Sequence, residues 1–519
     1  MRIHASFSFL LLLLCWLGGA TSAQASHILG GDLAYQYAGT ATAPNQYRVT
    51  ARLYREYQTT AVDFGTVQLA VAKDGCDATA AGGFFTPLTR ISTTTTSPLG
   101  CAGDFSYEII VFEGVVQLPP GRWSLSINEE NRTGSMRNVV ESILRGFNVG
   151  AFLDNSSGLR NNSARFTSST LPYLCASQSH RYSFTAFDAD GDSLVYQSVQ
   201  PLAKQLPDPL SSCGVPIPYM SYAAGSFQDP ATGQMVAYPA RTYSAAFPLF
   251  SFQVTNGVAT PYFELSRTTG ELLAFPIISQ IGPYIVAVRV DEYRKLAGRP
   301  TLISSVVRDV IYSVFTGSGN RNPTVATARI NNGTTDYPLN LPIDVATGET
   351  ISLTLNATDP DAGQTVRLSS DVASIMPGAS FQTTGPNQSR LTWQVPNLNP
   401  GLYSCSVTLA DNGCPLNGTE VRTITFRVSR VVLATKTSQP TVLNAFPVPF
   451  HEQVQFRLAS RTTQTVLISD GLGREVARLN SGLDGLVVWE PQATVPAGLY
   501  FARSADGRQV ARLLRTDTP

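Results

Sequence analysis

Charged residues are scarce in this chain of 519 residues. Asp, Glu, Lys and Arg make up 14% of it, whereas soluble domains average about 25%. The 37 basic and 37 acidic residues cancel, so the chain lacks the basic excess that binds nucleic acid through its phosphates. We therefore expect no nucleic-acid partner. Hydrophobic residues still make up 43% of the chain, which is enough to build packed cores.

The residues and motifs of common enzyme sites are equally sparse. Beyond residue 25 the chain has three histidines, which fall in three different predicted domains: His27, His180 and His451. There is no G-x-S-x-G, H-E-x-x-H or phosphate-loop motif. Residues 191–194 spell the GDSL block of an esterase family, but the next histidine after Ser193 lies at position 451, so the serine lacks a base. The sequence predicts a non-enzyme, with a secreted hydrolase in residues 26–174 as an alternative.

Long apolar runs are missing beyond the N-terminus. Residues 1–25 combine the basic Arg2, an apolar run from Phe7 to Leu17 and an A-x-A site ending at Ala25, which is the pattern of a secretory signal peptide. This run is shorter than the about 20 residues of a membrane-spanning helix, and no later run is longer. We predict export through the periplasm to the outer surface or the medium, with no membrane span after signal cleavage.

Cysteines are few, and six remain once the signal is removed: Cys76, Cys101, Cys175, Cys213, Cys405 and Cys414. An even number in an exported chain predicts disulfides and no free thiol. Proximity in sequence suggests three pairs, although other pairings are open: Cys76–Cys101, Cys175–Cys213 and Cys405–Cys414. The absence of a Cys-x-x-Cys pair argues against a zinc or thioredoxin-type site.

Alternation of apolar and polar residues dominates the rest of the chain, as in Tyr47–Tyr54 and Trp123–Ile127. Such alternation is typical of half-buried strands, and the many Gly and Pro residues between these runs favour turns. We predict an all-β chain of tandem immunoglobulin- or cadherin-like β-sandwiches after a β-rich N-terminal domain. The predicted ranges are 1–25 for the signal, 26–174 for the N-terminal domain, 175–316 and 323–430 for the sandwiches, 431–442 for a linker and 443–519 for the last domain.

Two Asp-rich turns are candidate sites for a hard cation, one with Asp188, Asp190 and Asp192 and a weaker one with Asp359 and Asp361. A straight strand would hold alternating carboxylates about 6–7 Å apart. Gly191 lets the chain turn, so that the carboxylates of the first site can converge. Ca²⁺ takes about six to eight oxygen ligands, and both turns are therefore predicted calcium sites. The alternative is an ordinary Asp/Gly turn with solvated carboxylates.

The last predicted domain contains four spaced motifs: Pro447, Pro449 and Phe450; Asp470, Gly473, Arg474 and Val476; Pro496, Gly498 and Tyr500; and the basic Arg512 and Arg515. Together they resemble the type A C-terminal sorting domain of the type IX secretion system of Bacteroidetes. The family opening P-N-P-F has Val448 in place of Asn here. The resemblance covers residues 443–519 and implies a folded signal that the outer-membrane secretion machinery binds and usually removes.

Other segments resemble surface proteins. The N-terminal segments SHILGGDLAYQY and RVTARLYREYQ are similar to large surface proteins of gliding Bacteroidetes. The segments FELSRTTGELLAFP and YIVAVRVDEYR resemble cadherin repeats, and LNATDPDAG resembles a further cadherin- or immunoglobulin-like module. These resemblances imply a non-catalytic adhesion or surface-layer protein. Surface polysaccharide or other cell-surface proteins are the expected partners and calcium the expected cofactor; a carbohydrate-binding protein is an alternative.

Overall fold

The computed structural model describes residues 27–57, 65–96, 106–130, 132–204, 213–316, 319–430, 441–459, 463–505, 507 and 509–517. The predicted signal peptide, Cys101 and nearly all of the predicted linker lie outside these residues. The chain divides into two compact units, Met1–Arg430 and Val431–Pro519. Strands dominate both units, which confirms the all-β prediction.

The first region of unit 1 contains strands β1 to β24 and two short 3-10 turns, at Ser142–Leu144 and Ile278–Gln280. The strand bounds are β1 Ile28–Tyr37, β2 Gln46–Glu56, β3 Thr66–Lys73, β4 Phe84–Thr96, β5 Tyr107–Gln117, β6 Arg122–Glu129, β7 Phe147–Asp154, β8 Arg165–Phe166, β9 Tyr173–Cys175, β10 His180–Ser183, β11 Ala186–Phe187, β12 Ser193–Val199, β13 Leu202–Ala203, β14 Val215–Pro216, β15 Ser221–Tyr222, β16 Gly225–Gln228, β17 Met235–Tyr238, β18 Arg241–Thr242, β19 Phe252–Thr255, β20 Val258–Pro261, β21 Phe263–Leu265, β22 Glu271–Ala274, β23 Gly282–Leu296 and β24 Arg299–Phe315.

One continuous sheet holds this region together. Eight strands follow the order β24-β1-β2-β5-β4-β3-β6-β7, and β7 pairs again with β24, so the strand order closes on itself. On β24, Val310 lies opposite Gly30 of β1, whereas Val306 lies opposite Ala151 of β7. The strand β23 continues the sheet on the other edge of β24. The predicted boundary between residues 174 and 175 is therefore wrong, because strands from both ranges share one sheet and one core.

Residues 319–430 form a β-sandwich with its own core around the fully buried Trp393. Its strands are β25 Thr327–Ile330, β26 Asp336–Pro338, β27 Ile343–Ala346, β28 Thr350–Asn356, β29 Arg367–Ser369, β30 Ala379–Gly385, β31 Gln388–Gln394, β32 Gly401–Ala410 and β33 Thr419–Ser429, with one short helix, α1, at Val372–Ile375. The two sheets have the orders β26-β25-β28-β31-β30 and β27-β33-β32-β29.

The sandwich packs on the first region through paired hydroxyl groups. Thr167 Oγ1 lies 2.9 Å from Ser406 Oγ, and Ser183 Oγ lies 2.7 Å from Thr423 Oγ1. The aromatic ring of Phe187, from the first region, belongs to the core of the sandwich. Because buried polar groups destabilise a structure when they lack partners, these pairs favour one placement of the sandwich on the first region.

Unit 2 is a smaller sandwich. Its strands are β34 Thr441–Leu443, β35 Ala445–Phe446, β36 Val454–Arg457, β37 Thr465–Asp470, β38 Glu475–Asn480, β39 Leu486–Trp489, β40 Gly498–Ser504 and β41 Gln509–Arg515. The sheets have the orders β34-β41-β40-β37-β38 and β35-β36-β39.

The predicted sorting-motif residues shape this unit. Phe450 and Tyr500 are buried against Trp489, with ring centroids 5.6 and 5.2 Å away. The carboxylate of Asp470 accepts hydrogen bonds from the backbone N–H of Arg474 at 2.9 Å and from its Nε at 2.7 Å, across the turn at Gly473. Three further motif residues lie at strand ends or in loops: Pro447 and Pro449, which both follow cis peptide bonds, and Gly498, which opens β40. The motif residues thus serve turns, strand ends and the core of the unit.

Candidate metal site

The first Asp-rich turn joins β11 to β12. One oxygen of Asp188, Oδ1, accepts backbone hydrogen bonds from Asp190, Gly191 and Asp192 at 2.8, 2.6 and 3.2 Å. Gly191 has a φ of 79°, in the left-handed region. A Cβ at this position would lie 2.5 Å from the Tyr403 hydroxyl, so both the backbone conformation and the close approach of the sandwich require glycine.

Three carboxylates converge next to this turn. One carboxylate oxygen from each of Asp188, Asp192 and Glu292 lies within 4.8 Å of the other two. Glu292 belongs to β23, is fully buried, and accepts hydrogen bonds from Asn161 Nδ2 at 2.9 Å and from the backbone N–H of Ala164. The second oxygen of Asp188, Oδ2, is buried and has no hydrogen-bond partner in the described part of the chain. The cluster therefore offers an acceptor that no protein donor satisfies.

In the described ranges, one guanidinium forms ion pairs at this cluster. Arg294, two residues after Glu292, donates to both oxygens of Asp192 at 2.7 Å and to Asp190 Oδ2 at 3.1 Å. Although burial opposes it, hydrogen bonding to Asp192 and the charge of that carboxylate raise the pKa of Arg294. Of the four carboxyl groups at this turn, Asp190 and Asp192 thus pair with this guanidinium, while Asp188 and Glu292 have no ion-pair partner among the described residues. Protons or a bound cation can relieve the remaining negative charge.

Two of the carboxyl groups in this cluster have raised pKa values. Burial, followed by the charge of Asp192, raises the pKa of Asp188 to about 7. Burial, followed by the charge of Asp188, also raises the pKa of Glu292 well above its usual range. A divalent cation would replace these protons, since a bound ion is the largest local charge in such a site.

The convergence differs from the predicted one in a single residue. The sequence predicts Asp188, Asp190 and Asp192 around one ion, and the structure brings Asp188 and Asp192 together. Asp190 instead points to Asn162, whose backbone N–H and Nδ2 both donate to its carboxylate at 2.8 Å. Glu292 is the third residue of the cluster instead, and the sequence prediction does not include it. An acidic residue inside the apolar strand run YIVAVRVDEYR was the available signal.

The second Asp-rich turn repeats part of this arrangement. Asp359 Oδ1 accepts the backbone N–H of Asp361 at 2.8 Å, while Asp359 Oδ2 is buried without a partner among the described residues. Burial raises the pKa of Asp359. Asp361, however, is bound to Arg321, whose backbone N–H and Nε donate to it at 2.7 and 2.9 Å. The two predicted ligands are therefore not gathered on one point.

The cysteines pair differently from the prediction. Cys76 forms a disulfide with Cys213, although the two lie 137 residues apart. The predicted Cys76–Cys101 and Cys175–Cys213 pairs are therefore both wrong. The predicted Cys405–Cys414 pair is also wrong, because Cys405 is a thiol buried in the sandwich core, where burial raises its pKa to about 12. The prediction of a chain without free thiols fails with it, because strand β32 turns this side chain inward.

The three histidines have unrelated surroundings. His27 Nδ1 lies 3.2 Å from Glu56 Oε2, and His451 Nδ1 lies 3.0 Å from the carbonyl oxygen of Thr516. His180 is buried, and neither ring nitrogen has a hydrogen-bond partner within the described ranges. Burial lowers its pKa to about 3.

In the ranges that the structure describes, no helix is long and apolar enough to cross a membrane.

Comparisons with known proteins give weak structural likenesses. No family model matches the chain, and no curated protein matches it. Its solved neighbours include the N-terminal four Ig domains of Dscam1 isoform 8.4, with 8% identity, 94% of this chain and 100% of that chain covered, and a TM-score of 0.17. The same domains of Dscam1 isoform 9.44 match with 10% identity, 94% and 99% coverage and a TM-score of 0.19. An endo-fucoidan hydrolase of glycoside hydrolase family 107 matches with 12% identity, 66% and 39% coverage and a TM-score of 0.16. Since TM-scores this low define no shared topology, the fold class stands on the strand pairing described above.

Proposed function

We propose that this chain is a non-catalytic protein of the cell surface or extracellular space, and that its first unit binds calcium between Asp188, Asp192 and Glu292. The observation that carries the proposal is the buried Asp188 Oδ2, which has no hydrogen-bond partner among the described residues and lies beside two further carboxylates. Carboxylate oxygens are the ligands that Ca²⁺ prefers, and main-chain carbonyls or water supply the rest of its shell. Magnesium fits less well, because it needs near-ideal octahedral geometry and keeps several waters.

The hydrogen bonds already present indicate which carboxylate oxygens would bind the ion. Asp188 would bind through Oδ2, because Oδ1 already holds the turn together. Asp192 would share its carboxylate between the ion and Arg294. Glu292 would contribute its carboxylate from strand β23, so that the ion would link the turn to this strand. The ion would supply positive charge in place of protons, and this is how calcium would stabilise the folded unit.

The surface location and the export route are also proposals. The Cys76–Cys213 disulfide supports an oxidising compartment outside the cytosol. The spaced motifs of residues 443–519 support delivery by type IX secretion, with its machinery as a partner. Adhesion to surface polysaccharide or to other cell-surface proteins fits an all-β chain that contains β-sandwiches. The turn at Asp359 is a second, weaker calcium candidate, because it has one unpartnered carboxylate oxygen rather than a group of three carboxylates.

Calcium binding is tested on the full chain by thermal melts in millimolar calcium and in chelator, combined with titration calorimetry. A ligand that binds the native state alone stabilises it by about 2.7 kcal/mol at a hundredfold excess over Kd. Asp188→Asn keeps an oxygen for the turn but loses the charge, so it should abolish the calcium shift and raise the stability of the metal-free protein. Asp190→Asn, two residues away, is the matched control and should keep the shift.

Two results would overturn the site. Superimposable melts of the wild-type protein in calcium and in chelator would leave the turn as a plain Asp/Gly turn. A calcium shift that Asp190→Asn removes and Asp188→Asn keeps would place the ion elsewhere in the loop. Because the two units can unfold separately, the shift should be assigned to unit 1 by hydrogen exchange of peptides from β12 and β23.

A further inference from the structure

A cleft of about 310 Å³ opens between the first region and the sandwich, and Ala189 of the DADGD turn is among the residues that line it. Its walls come from both modules: Gln36, Asn162 and Arg165 on one side, Ile375, Met376 and Pro377 on the other. The side from the first region thus carries polar groups and a positive charge beside the apolar Phe187 and Ala189, while the side from the sandwich is mostly apolar but includes Ser374. Clefts of this kind, with a few convergent polar groups on an apolar background, are typical small-ligand sites.

Arg165 is the unusual group in this cleft. It lies on the short strand β8, which pairs with β11, and is half-buried, yet its guanidinium forms no hydrogen bond and no ion pair with any described residue. Three other arginines of the first region are paired with carboxylates: Arg52 and Arg308 both bind the carboxylate of Asp32, and Arg132 binds Asp309 at 2.8 Å. A partly desolvated guanidinium without a counter-ion is unfavourable in the free protein.

The two carboxylates whose charge acts on Arg165 are both bound by other groups. Burial, followed by the nearby positive charge of Arg52, lowers the pKa of Arg165. The carboxylates whose charge reaches it are Asp32 and Glu113. Asp32 is already bound by two arginines, and Glu113 accepts the Thr50 hydroxyl at 3.1 Å. An anionic group that enters the cleft would therefore meet a donor that the protein itself does not occupy.

We propose that this cleft binds the sulfate or carboxylate group of an acidic sugar in an anionic polysaccharide, with Arg165 as the charge-pairing residue. A guanidinium pairs with either anion through two parallel hydrogen bonds. The Gln36 side chain, which is exposed and has no hydrogen-bond partner among the described residues, can bond to sugar hydroxyls. The exposed Ala373 and Pro377 of the sandwich can cover the C–H face of one sugar ring, whereas an acidic peptide would leave this surface without a matching apolar group. Among the described residues that line the cleft, none is a proposed calcium ligand.

The proposal is tested with the full chain and labelled oligosaccharides, by fluorescence anisotropy in chelator and again in calcium. The probes are a sulfated heparin hexasaccharide, a carboxylated hexagalacturonate, the neutral cellohexaose and hexaglutamate as an acidic peptide. We expect at least one acidic sugar to bind, more weakly as salt rises, and the neutral sugar not to bind. Arg165→Gln should weaken this binding about ten- to a hundredfold, the value of a charged hydrogen bond. Arg299→Gln, which removes the same charge from an exposed hairpin end, is the matched control and should bind like the wild type.

Four results would overturn the site. They are the absence of binding to either acidic sugar, equal loss in both arginine variants, tighter binding of hexaglutamate than of the sugars, and sugar binding that requires calcium and ignores Arg165→Gln. The last result would place the sugar on the metal instead. Thermal melts of both variants check that neither substitution unfolds the unit. Since sugar binding in chelator needs no metal, a failure of the calcium proposal leaves this one standing, and the reverse also holds.

Discussion

The buried histidine of strand β10 should make unit 1 sensitive to acid. The His180 side chain stacks on Tyr182 and meets the ring of Tyr312 edge-on, with centroids 6.5 and 6.0 Å away. It is 1% exposed, and both ring nitrogens lack partners among the described residues. Burial alone lowers its pKa, since no charged group contributes to the shift. We predict that His180→Phe, which keeps an aromatic ring of similar size, removes this sensitivity.

The size of the effect follows from the two pKa values. The pKa of His180 is 6.5 in the unfolded chain and about 3 in the folded one. As the pH falls below 6.5, His180 takes up a proton in the unfolded state but not in the folded state. The free energy of unfolding is therefore highest at neutral pH and decreases towards acid. Each pH unit removes about 1.4 kcal/mol. At pH 5 the loss is about 2 kcal/mol, or roughly thirtyfold in the unfolding equilibrium.

Hydrogen exchange measures this effect in unit 1 without interference from unit 2. Peptides from β10 and β24 are followed in the wild-type protein and in His180→Phe at pH 7.5 and pH 5. Comparison at equal pH cancels the chemical exchange rate and the titration of the carboxylates, which both proteins share. The variant should gain about 2 kcal/mol relative to the wild type between pH 7.5 and pH 5. An unchanged difference between the two proteins at the two pH values would refute the reasoning.

Two further predictions concern the cysteines and the C-terminal unit. Alkylation of the denatured, unreduced protein should label Cys405, and peptide mapping should find Cys76 linked to Cys213; a Cys405–Cys414 link would contradict this. Under native conditions Cys405 should resist labelling, because it is buried and its pKa is raised to about 12. Deletion of residues 443–519 should leave a folded unit 1 in the periplasm, since that unit buries its own cores. Surface delivery of the truncated chain would refute the sorting role.

Local sequence patterns predict the strands well and their partners poorly. The alternating segments Tyr47–Tyr54 and Trp123–Ile127 lie inside β2 and β6 as expected. The closure of the sheet, in which β24 binds both β1 and β7, leaves no such trace, because alternation specifies a buried face and not the neighbouring strand. The Cys76–Cys213 disulfide was likewise not predictable, because it joins residues 137 positions apart in the sequence. Proximity in sequence is a poor guide where long-range pairing builds the core.

The candidate metal site was predictable where its residues are local. The composition of the DADGD turn indicates a cation site, and the structure places Asp188 and Asp192 close together. Glu292 comes from a strand about a hundred residues away, and only the pairing of Leu194 with Glu292 brings it to the turn. The adjacent Asp291 points to the opposite side, where it binds Arg289 and Gln197. Two neighbouring acids in a buried strand therefore face different environments, and the sequence alone does not say which one meets the turn.

The two carboxylate oxygens of Asp188 have different roles, because one holds the backbone of the turn and the other is the proposed cation ligand. Oδ1 fixes the turn through three backbone N–H groups, and this role is the same with or without a cation at Oδ2. The contacts of the turn with the sandwich depend on that shape, since Asn399 Nδ2 donates to the carbonyl of Asp190 at 2.8 Å and Tyr403 packs against Gly191. A cation at Oδ2 relieves repulsion among carboxylates but moves none of these backbone groups. Calcium should therefore raise the free energy of unfolding of unit 1 while the sandwich and the neighbouring cleft keep their places.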